Sequence, residues 1–140
     1  MILLDTNVLS ELMRPSPEPK VLQWLDAQPA MDIWISAVTV AEIRLGIELL
    51  PDGKRRGLLS DLAERMFRED FSERYLPFDF SAAGKYASIV ALRKRQGSPI
   101  SVEDAQIAAI TQANGLALAT RNVKDFSGIE GLELINPWTD

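Results

Sequence analysis

Four acids and one amide stand where short apolar runs, alternating with longer helical stretches, could bring them to one edge of a sheet: Asp5, Glu42, Asp104, Asp125 and Asn122. Asp5 directly follows the apolar run Met1 to Leu4. Glu42 falls in the first turns of the helical stretch after Ile33-Trp34-Ile35-Ser36, and Asp104 in the first turn of the stretch that starts at Ser101. Asn122 and Asp125 follow the apolar run Leu116 to Thr120. The chain has no cysteine and no histidine. That excludes thiol nucleophiles, zinc sites built on thiolate or imidazole, and every imidazole base. Inward carboxylates without histidine suit a hard divalent cation, Mg²⁺ or Mn²⁺. Mg²⁺ takes one or two carboxylates directly, keeps most of its waters and completes its shell with phosphate oxygens. Such an ion can polarise a phosphodiester, generate hydroxide from water and stabilise the leaving oxygen.

Each residue also has a plain structural reading. Asp5 can cap a helix through backbone N–H groups. Ser101-x-x-Asp104 and Thr39-x-x-Glu42 both fit the capping-box pattern, and Asn122 and Asp125 are ordinary turn residues. Thr6 could place its hydroxyl on a metal or a metal-bound water, although a threonine at a helix start is commonly a cap. Glu42 departs furthest from the plain reading. At about 100° per residue, Arg44 and Glu48 share one side of the helix, while Glu42 falls between Gly46 and Leu49, on the side of Val38 and Leu45. A glutamate on a core-facing stripe requires a partner, and no lysine or arginine of that stretch shares its face. Asp104 begins a face that Ile107, Ala108 and Thr111 continue.

The elements that must position these groups follow from periodicity and breakers. Met1 to Leu4 is too short for a helix and suits a buried strand. A helix starts at Asp5-Thr6-Asn7, carries Val8, Leu9, Leu12 and Met13 at helical spacing, and ends at Arg14-Pro15-Ser16-Pro17. Further helices are predicted over Val21 to Gln28, about Val40 to Leu50, residues 54–72, residues 82–96 and Ser101 to Asn114. Strands are predicted at Ile33 to Ser36, at Leu76 to Phe78 (demoted by Pro77), at Leu116 to Thr120 and at Leu132 to Ile135. Apolar strands lying between helices indicate a parallel sheet covered on both faces. In such sheets ligands sit at the carboxyl ends of the strands.

A chain of 140 residues has the length of one domain. With 46% hydrophobic and 25% charged residues it is globular in composition, not a disordered tail, a fibre or a coiled coil. No apolar stretch approaches the ~20 residues of a bilayer-spanning helix. Met1-Ile2-Leu3-Leu4-Asp5 has no basic region of a signal peptide, so a reducing cytoplasm is the expected location. With 20 acids against 15 bases the net charge is −5, which does not advertise nucleic-acid binding. Clustered, the excess acid could instead hold the cation.

Leu4-Asp5-Thr6-Asn7 resembles the opening of PIN-domain ribonucleases. Ser36-Ala37-Val38-Thr39-Val40-Ala41-Glu42-Ile43-Arg44-Leu45-Gly46, Glu103-Asp104-Ala105-Gln106-Ile107-Ala108-Ala109 and Ala119-Thr120-Arg121-Asn122-Val123-Lys124-Asp125-Phe126 resemble the other blocks of that family. The likeness is to VapC-type toxins of bacterial type II toxin–antitoxin pairs, including the FitB-like group. That group also has a turn like Leu50-Pro51-Asp52-Gly53-Lys54-Arg55-Arg56 and an ending like Asn136-Pro137-Trp138. The blocks run in order from residue 3 to residue 138, nearly the whole chain.

The resemblance implies a three-layer α/β/α domain over residues 1–140 with a parallel sheet of about five strands. It implies a Mg²⁺-dependent endoribonuclease, with Mn²⁺ able to substitute, that cuts RNA phosphodiesters with a metal-activated water. Asp5, Glu42 and Asp104 match the family's invariant acids. Asp5 and Asp104 would hold the cation, and Glu42 would act directly or through water. The chain departs at the fourth acid, where many relatives have aspartate and this chain has Asn122. The amide brings no charge, Asp125 is the candidate substitute, and one tightly held ion is expected rather than two. Arg14, Arg44, Arg93, Lys94 and Arg121 are candidates for drawing in the RNA backbone, each also readable as a solvated helix end. The implied partners are RNA, a small DNA-binding antitoxin and a second copy of the chain, with no membrane. Two other readings remain: a non-catalytic PIN-fold binding module with a structural ion, and an aspartate-nucleophile phosphatase using Asp5. The phosphatase reading lacks the usual second aspartate, because position 7 is Asn7.

Overall fold

In the computed structural model, which describes residues 1–140, five short strands pair in the order β3-β2-β1-β4-β5. They are β1 Ile2–Leu4, β2 Ile33–Ser36, β3 Tyr75–Leu76, β4 Ala117–Ala119 and β5 Leu134–Ile135. Every pairing is parallel. Seven helices cover the sheet: α1 Thr6–Leu12, α2 Pro19–Asp26, α3 Ala37–Glu48, α4 Lys54–Arg65, α5 Phe80–Arg95, α6 Val102–Ala113 and α7 Val123–Phe126. The expected three-layer α/β/α arrangement is therefore present. No helix is long and apolar enough to cross a membrane.

The side-chain alternation of the strands divides the interior into two clusters, one on each sheet face. Leu4, Ile33, Ile35 and Ala119 pack on one side with Val8, Leu9 and Val21 of α1 and α2 and Ile43 and Ile47 of α3. Leu3 and Leu118 pack on the other side with Ile89 of α5, Ile107 and Ile110 of α6, and Phe126 of α7. Leu3, Leu4, Ile35 and Leu118 are fully buried, and each such side chain stabilises the fold by roughly 1.5–3 kcal/mol. Ala105, Ala108 and Ala109 are also fully buried, which lets α6 lie close against α5 and β4.

Several element boundaries differ from the periodicity reading, each for a local reason. α3 starts at Ala37 rather than near Val40, because the Ser36 hydroxyl accepts the Thr39 N–H at 3.0 Å and makes Ser36 the N-cap. The Thr39-x-x-Glu42 capping box is thus not the start of this helix. The stripe of α3 that enters the core is Thr39, Ile43 and Ile47. Leu45 and Leu49 are 60% and 75% exposed, so Glu42 does not stand on a core-facing stripe with them but on the flank of the buried one. α2 starts two residues early at Pro19, whose fixed φ suits a first helical turn. α5 starts at Phe80 because Asp79 caps it, accepting the Ala82 N–H at 3.0 Å. After Arg65 the helix widens into a π-turn, Met66–Asp70, closed by the Phe71 N–H on the Met66 carbonyl. The wide turn brings Phe71 into the same core as Met66 and Phe67. β3 forms at Tyr75–Leu76, before Pro77, since proline cannot donate to a ladder. α7 is one turn and has too few residues for a periodic signal.

Candidate active site

β1 is the strand at which the sheet order reverses, with β2 on one side and β4 on the other. The crevice beyond its carboxyl end is where an open parallel sheet binds ligands. Asp5 occupies that point. Its backbone N–H still belongs to the ladder, donating to the Ala119 carbonyl at 2.9 Å. Its side chain does two things. Oδ1 accepts the Thr6 N–H at 2.8 Å, the helix-capping role. Oδ2 accepts the Thr120 hydroxyl at 2.8 Å and the Asn7 amide at 3.2 Å. The cap and the candidate site are thus the same residue.

Asp5, Thr6, Glu42, Asp104 and Asn122 line one polar cavity of about 460 Å³, together with Asn7, Ser10, Glu11 and Arg14. No apolar side chain lines it. Thr6 connects the first two acids: its hydroxyl donates to Glu42 Oε1 at 2.6 Å and lies 3.0 Å from the Thr39 hydroxyl. Because the Thr6 proton is committed to Glu42, the Thr39 hydroxyl must donate to Thr6. The Ser36 hydroxyl donates in turn to Thr39 at 3.3 Å. Three hydroxyls therefore run in one direction toward the Glu42 carboxylate, each polarising the next. The partner that Glu42 requires is this chain and not a basic residue. Thr6→Val should break it while keeping the side-chain shape. A hydrogen bond to a charged group of this kind is worth about 1.5 kcal/mol, so turnover should fall about tenfold. A steady-state comparison of the two proteins checks this.

Asp104 begins α6 with its N–H on the Ser101 hydroxyl at 3.2 Å. It is half-buried at the start of the buried face Ile107, Ala108 and Thr111. Asn122 lines the cavity, and its backbone N–H donates to the Thr120 hydroxyl at 3.0 Å. Asp125 is not among the residues lining the cavity. It lies on exposed α7, near enough for its charge to act on Asp104. It therefore backs Asp104 and does not replace the missing fourth acid in the cavity wall.

The electrostatics follow from burial. Asp5 is only 4% exposed. Loss of solvent raises its carboxyl to about 6, helped by the charges of Asp104 and Glu42 and opposed by the hydrogen bonds from Thr120 and Thr6. Burial also raises Asp104, with Asp125 and Glu103 adding to it. The ion pairs of the molecule are Arg14–Glu11, Arg44–Glu64, Arg56–Glu48 and Arg56–Asp52. None neutralises Asp5, Glu42 or Asp104. The wall thus has oxygen donors, uncompensated negative charge and raised carboxyls, a donor set that fits a hard divalent cation. No three acids are gathered as an all-protein cage. An ion here would keep several waters, as Mg²⁺ prefers.

The periodicity reading did not pick out four of the residues at this site. Thr120 is fully buried and holds both Asp5 and the Asn122 backbone. Asn7 joins the ends of β1 and β4, donating to Asp5 and accepting the Arg121 N–H at 3.2 Å. Thr39 completes the hydroxyl chain. Glu11 is 5% exposed, and its carboxylate takes the Glu18 N–H at 2.9 Å and both bonds of Arg14 at 3.1 Å. The Glu18 N–H, then Arg14 and the charge of Arg121, hold it below the usual carboxylate range. The signal is present along α1 and just past its end: Asn7, Ser10, Glu11 and Arg14 recur at three- and four-residue spacing.

Residues 2–132 match the PIN domain. VapC ribonuclease Y4jK of Sinorhizobium fredii is 43% identical over 99% of this chain and 98% of its own length. Toxin FitB of Neisseria gonorrhoeae is 42% identical over the full length of both. The solved structure of FitAB bound to an IR36 DNA fragment superposes with a TM-score of 0.90 and 41% identity, covering 99% of this chain and 96% of the other. Its fold, its ordered blocks and these matches together establish that the chain belongs to the PIN domain family, in the group that contains the VapC and FitB proteins.

Proposed function

We propose that this protein is the toxin of a toxin–antitoxin pair and acts as a metal-dependent endoribonuclease, residues 1–140 working as one cytoplasmic nuclease domain. The observation that carries this reading is the polar cavity at the end of β1, which Asp5, Glu42 and Asp104 line and where none of the three is taken by an ion pair. Relatives named VapC ribonuclease and Toxin FitB, matched along almost their whole length, support it. Asp5 and Asp104 would hold Mg²⁺, or Mn²⁺ in its place, with Asn122 as a neutral donor. The bound cation would offset phosphate charge and make water a better nucleophile. Within the protein, Thr6 aims one Glu42 oxygen and leaves the other free to orient a water. Thr120 and Asn7 fix the Asp5 carboxylate plane. The proposed partners are RNA, a small DNA-binding antitoxin and a second copy of the chain. The FitAB–DNA structure supports the antitoxin partner by analogy.

Incubation of the purified protein with mixed single-stranded RNAs tests the reading. Cleavage is expected in millimolar Mg²⁺ or Mn²⁺ and none in EDTA. Equal cleavage with and without chelator would remove the metal from the mechanism, and no cleavage under any condition would leave the binding-module reading in its place.

A further inference from the structure

The cavity is acidic and the chain carries a net charge of −5, yet a ribonuclease must hold a polyanion. Backbone phosphates are gripped by local lysine and arginine, whatever the overall charge. The structure separates the basic candidates. Arg44 is not among the residues that line the polar cavity and is held toward α4 by Glu64 through two bonds, at 3.0 and 2.8 Å. Arg93 is buried and spends its guanidinium on the backbone carbonyls of Ser98, Asp125 and Ser127. Lys94 belongs to the last turn of α5, none of whose residues lines the polar cavity. Of the five candidates, Arg14 and Arg121 remain.

Arg14 lines the cavity itself and is 63% exposed. Arg121 stands between Thr120, which holds Asp5, and Asn122, which lines the cavity, and its N–H is fixed by Asn7. Both act on one anchor. Glu11 binds Arg14 directly and feels the charge of Arg121. Arg14 is the one basic residue among those lining the cavity, and the Arg121 guanidinium is in no ion pair. Trp138 supports the second arginine, with the Arg121 guanidinium carbon 5.0 Å from a Trp138 ring centroid. A guanidinium stacked on an indole is held by its face and keeps its N–H edge free.

We propose that Arg14 and Arg121, set by Glu11 and Trp138, form a subsite for a backbone phosphate of the RNA next to the one being cut. The subsite rests on the ribonuclease reading for its substrate. Arg14 and Arg121 would touch the RNA, while Glu11 and Trp138 are positioning residues. Arg121→Ala and Arg14→Ala should each raise KM for a short single-stranded RNA by about tenfold with kcat within about twofold. Anisotropy with the same RNA in EDTA reads binding apart from cleavage. There the slope of log affinity against log salt should fall by about 0.7 for each lost phosphate contact. Trp138→Phe should keep the wild-type slope and Trp138→Leu should lose part of it, with thermal melting to show that each variant is folded. Unchanged KM and salt slope in both arginine variants, or a loss confined to kcat, would overturn the subsite. So would Arg variants that weaken only binding of an antitoxin. Wild-type protein that binds RNA with the full slope but never cuts it would instead sink the ribonuclease reading and leave the phosphate subsite standing.

Discussion

Replacing Asp5 with asparagine is expected to abolish RNA cleavage and, in the absence of metal, to make the protein more stable at neutral pH. The two effects have one cause. The Asp5 carboxyl is buried among hydroxyls and faces two other acids, so its folded-state value stands at about 6, against about 3.9 in the unfolded chain. Between these values the folded state binds more protons than the unfolded state, and stability falls as pH rises. The contribution is intact below about pH 4 and is lost through about pH 6, a difference on the order of 3 kcal/mol. Glu11 and Glu64, held below the usual range by their hydrogen bonds, act in the opposite sense toward acid. The difference between wild type and Asp5→Asn cancels them. Asparagine has no charge to bury, although its amide meets Asn7 and Thr120 less well. The net gain at pH 7 should be on the order of 2 kcal/mol, read as a rise of several degrees in melting temperature. At pH 4 the two proteins should melt together or the variant lower. Millimolar Mg²⁺ should raise the wild-type melting temperature and not that of the variant, because a ligand that binds only the folded state stabilises it. An Asp5→Asn protein that melts lower at pH 7 and still cuts RNA would return this residue to helix capping alone.

Arg93→Leu should destabilise the protein at a point away from the cavity wall. The guanidinium is 7% exposed and satisfies three carbonyls, from Ser98 after α5 and from Asp125 and Ser127 around α7. Leucine fills part of the volume but orphans all three acceptors. Ser98, Asp125 and Ser127 are themselves exposed residues, so water replaces part of what is lost, and a net loss of about 1–2 kcal/mol is expected. It should appear as a lower urea midpoint with an unchanged slope. The consequence for function is local. The segment held by Arg93 carries Asn122 into the cavity and Asp125 behind Asp104. Freed, it should lower kcat on the order of tenfold, as small misplacements at a site do. Arg93→Lys reaches fewer carbonyls and should fall between the two. Wild-type stability in Arg93→Leu would mean that water takes over the three carbonyls.

The sheet and the principal acids were legible because their signals are local. Ile33–Ser36 reads as a strand from four residues, and Asp5 marks its own place by ending an apolar run. Asp104 shows itself through the apolar face it begins. The parts that were not legible depend on distant partners. Nothing in the helical wheel tells that Glu42 is served by Thr6, 36 residues earlier. The wheel placed it among Val38, Leu45 and Leu49, because hydrophobicity alone does not distinguish a leucine facing the core from one left in solvent. Thr39 looked like a cap because Ser36, three residues earlier, had been counted within the strand and not as the cap it also is. Thr120 and Asn7 were invisible for a related reason: a buried hydroxyl or amide has meaning only when the group it holds is known.

The placement of β1 between β2 and β4 also sets the order in which the protein can come to life on the ribosome. Asp5 is made 115 residues before Thr120, whose hydroxyl holds it, and the strand leading into Thr120 is itself paired with Leu134 and Ile135. Synthesis runs at about 5–20 residues per second, so several seconds pass during which the acids exist without a site. Contacts of such long sequence separation also form late in folding. A growing chain of this topology therefore has no assembled cavity until β5 has been made.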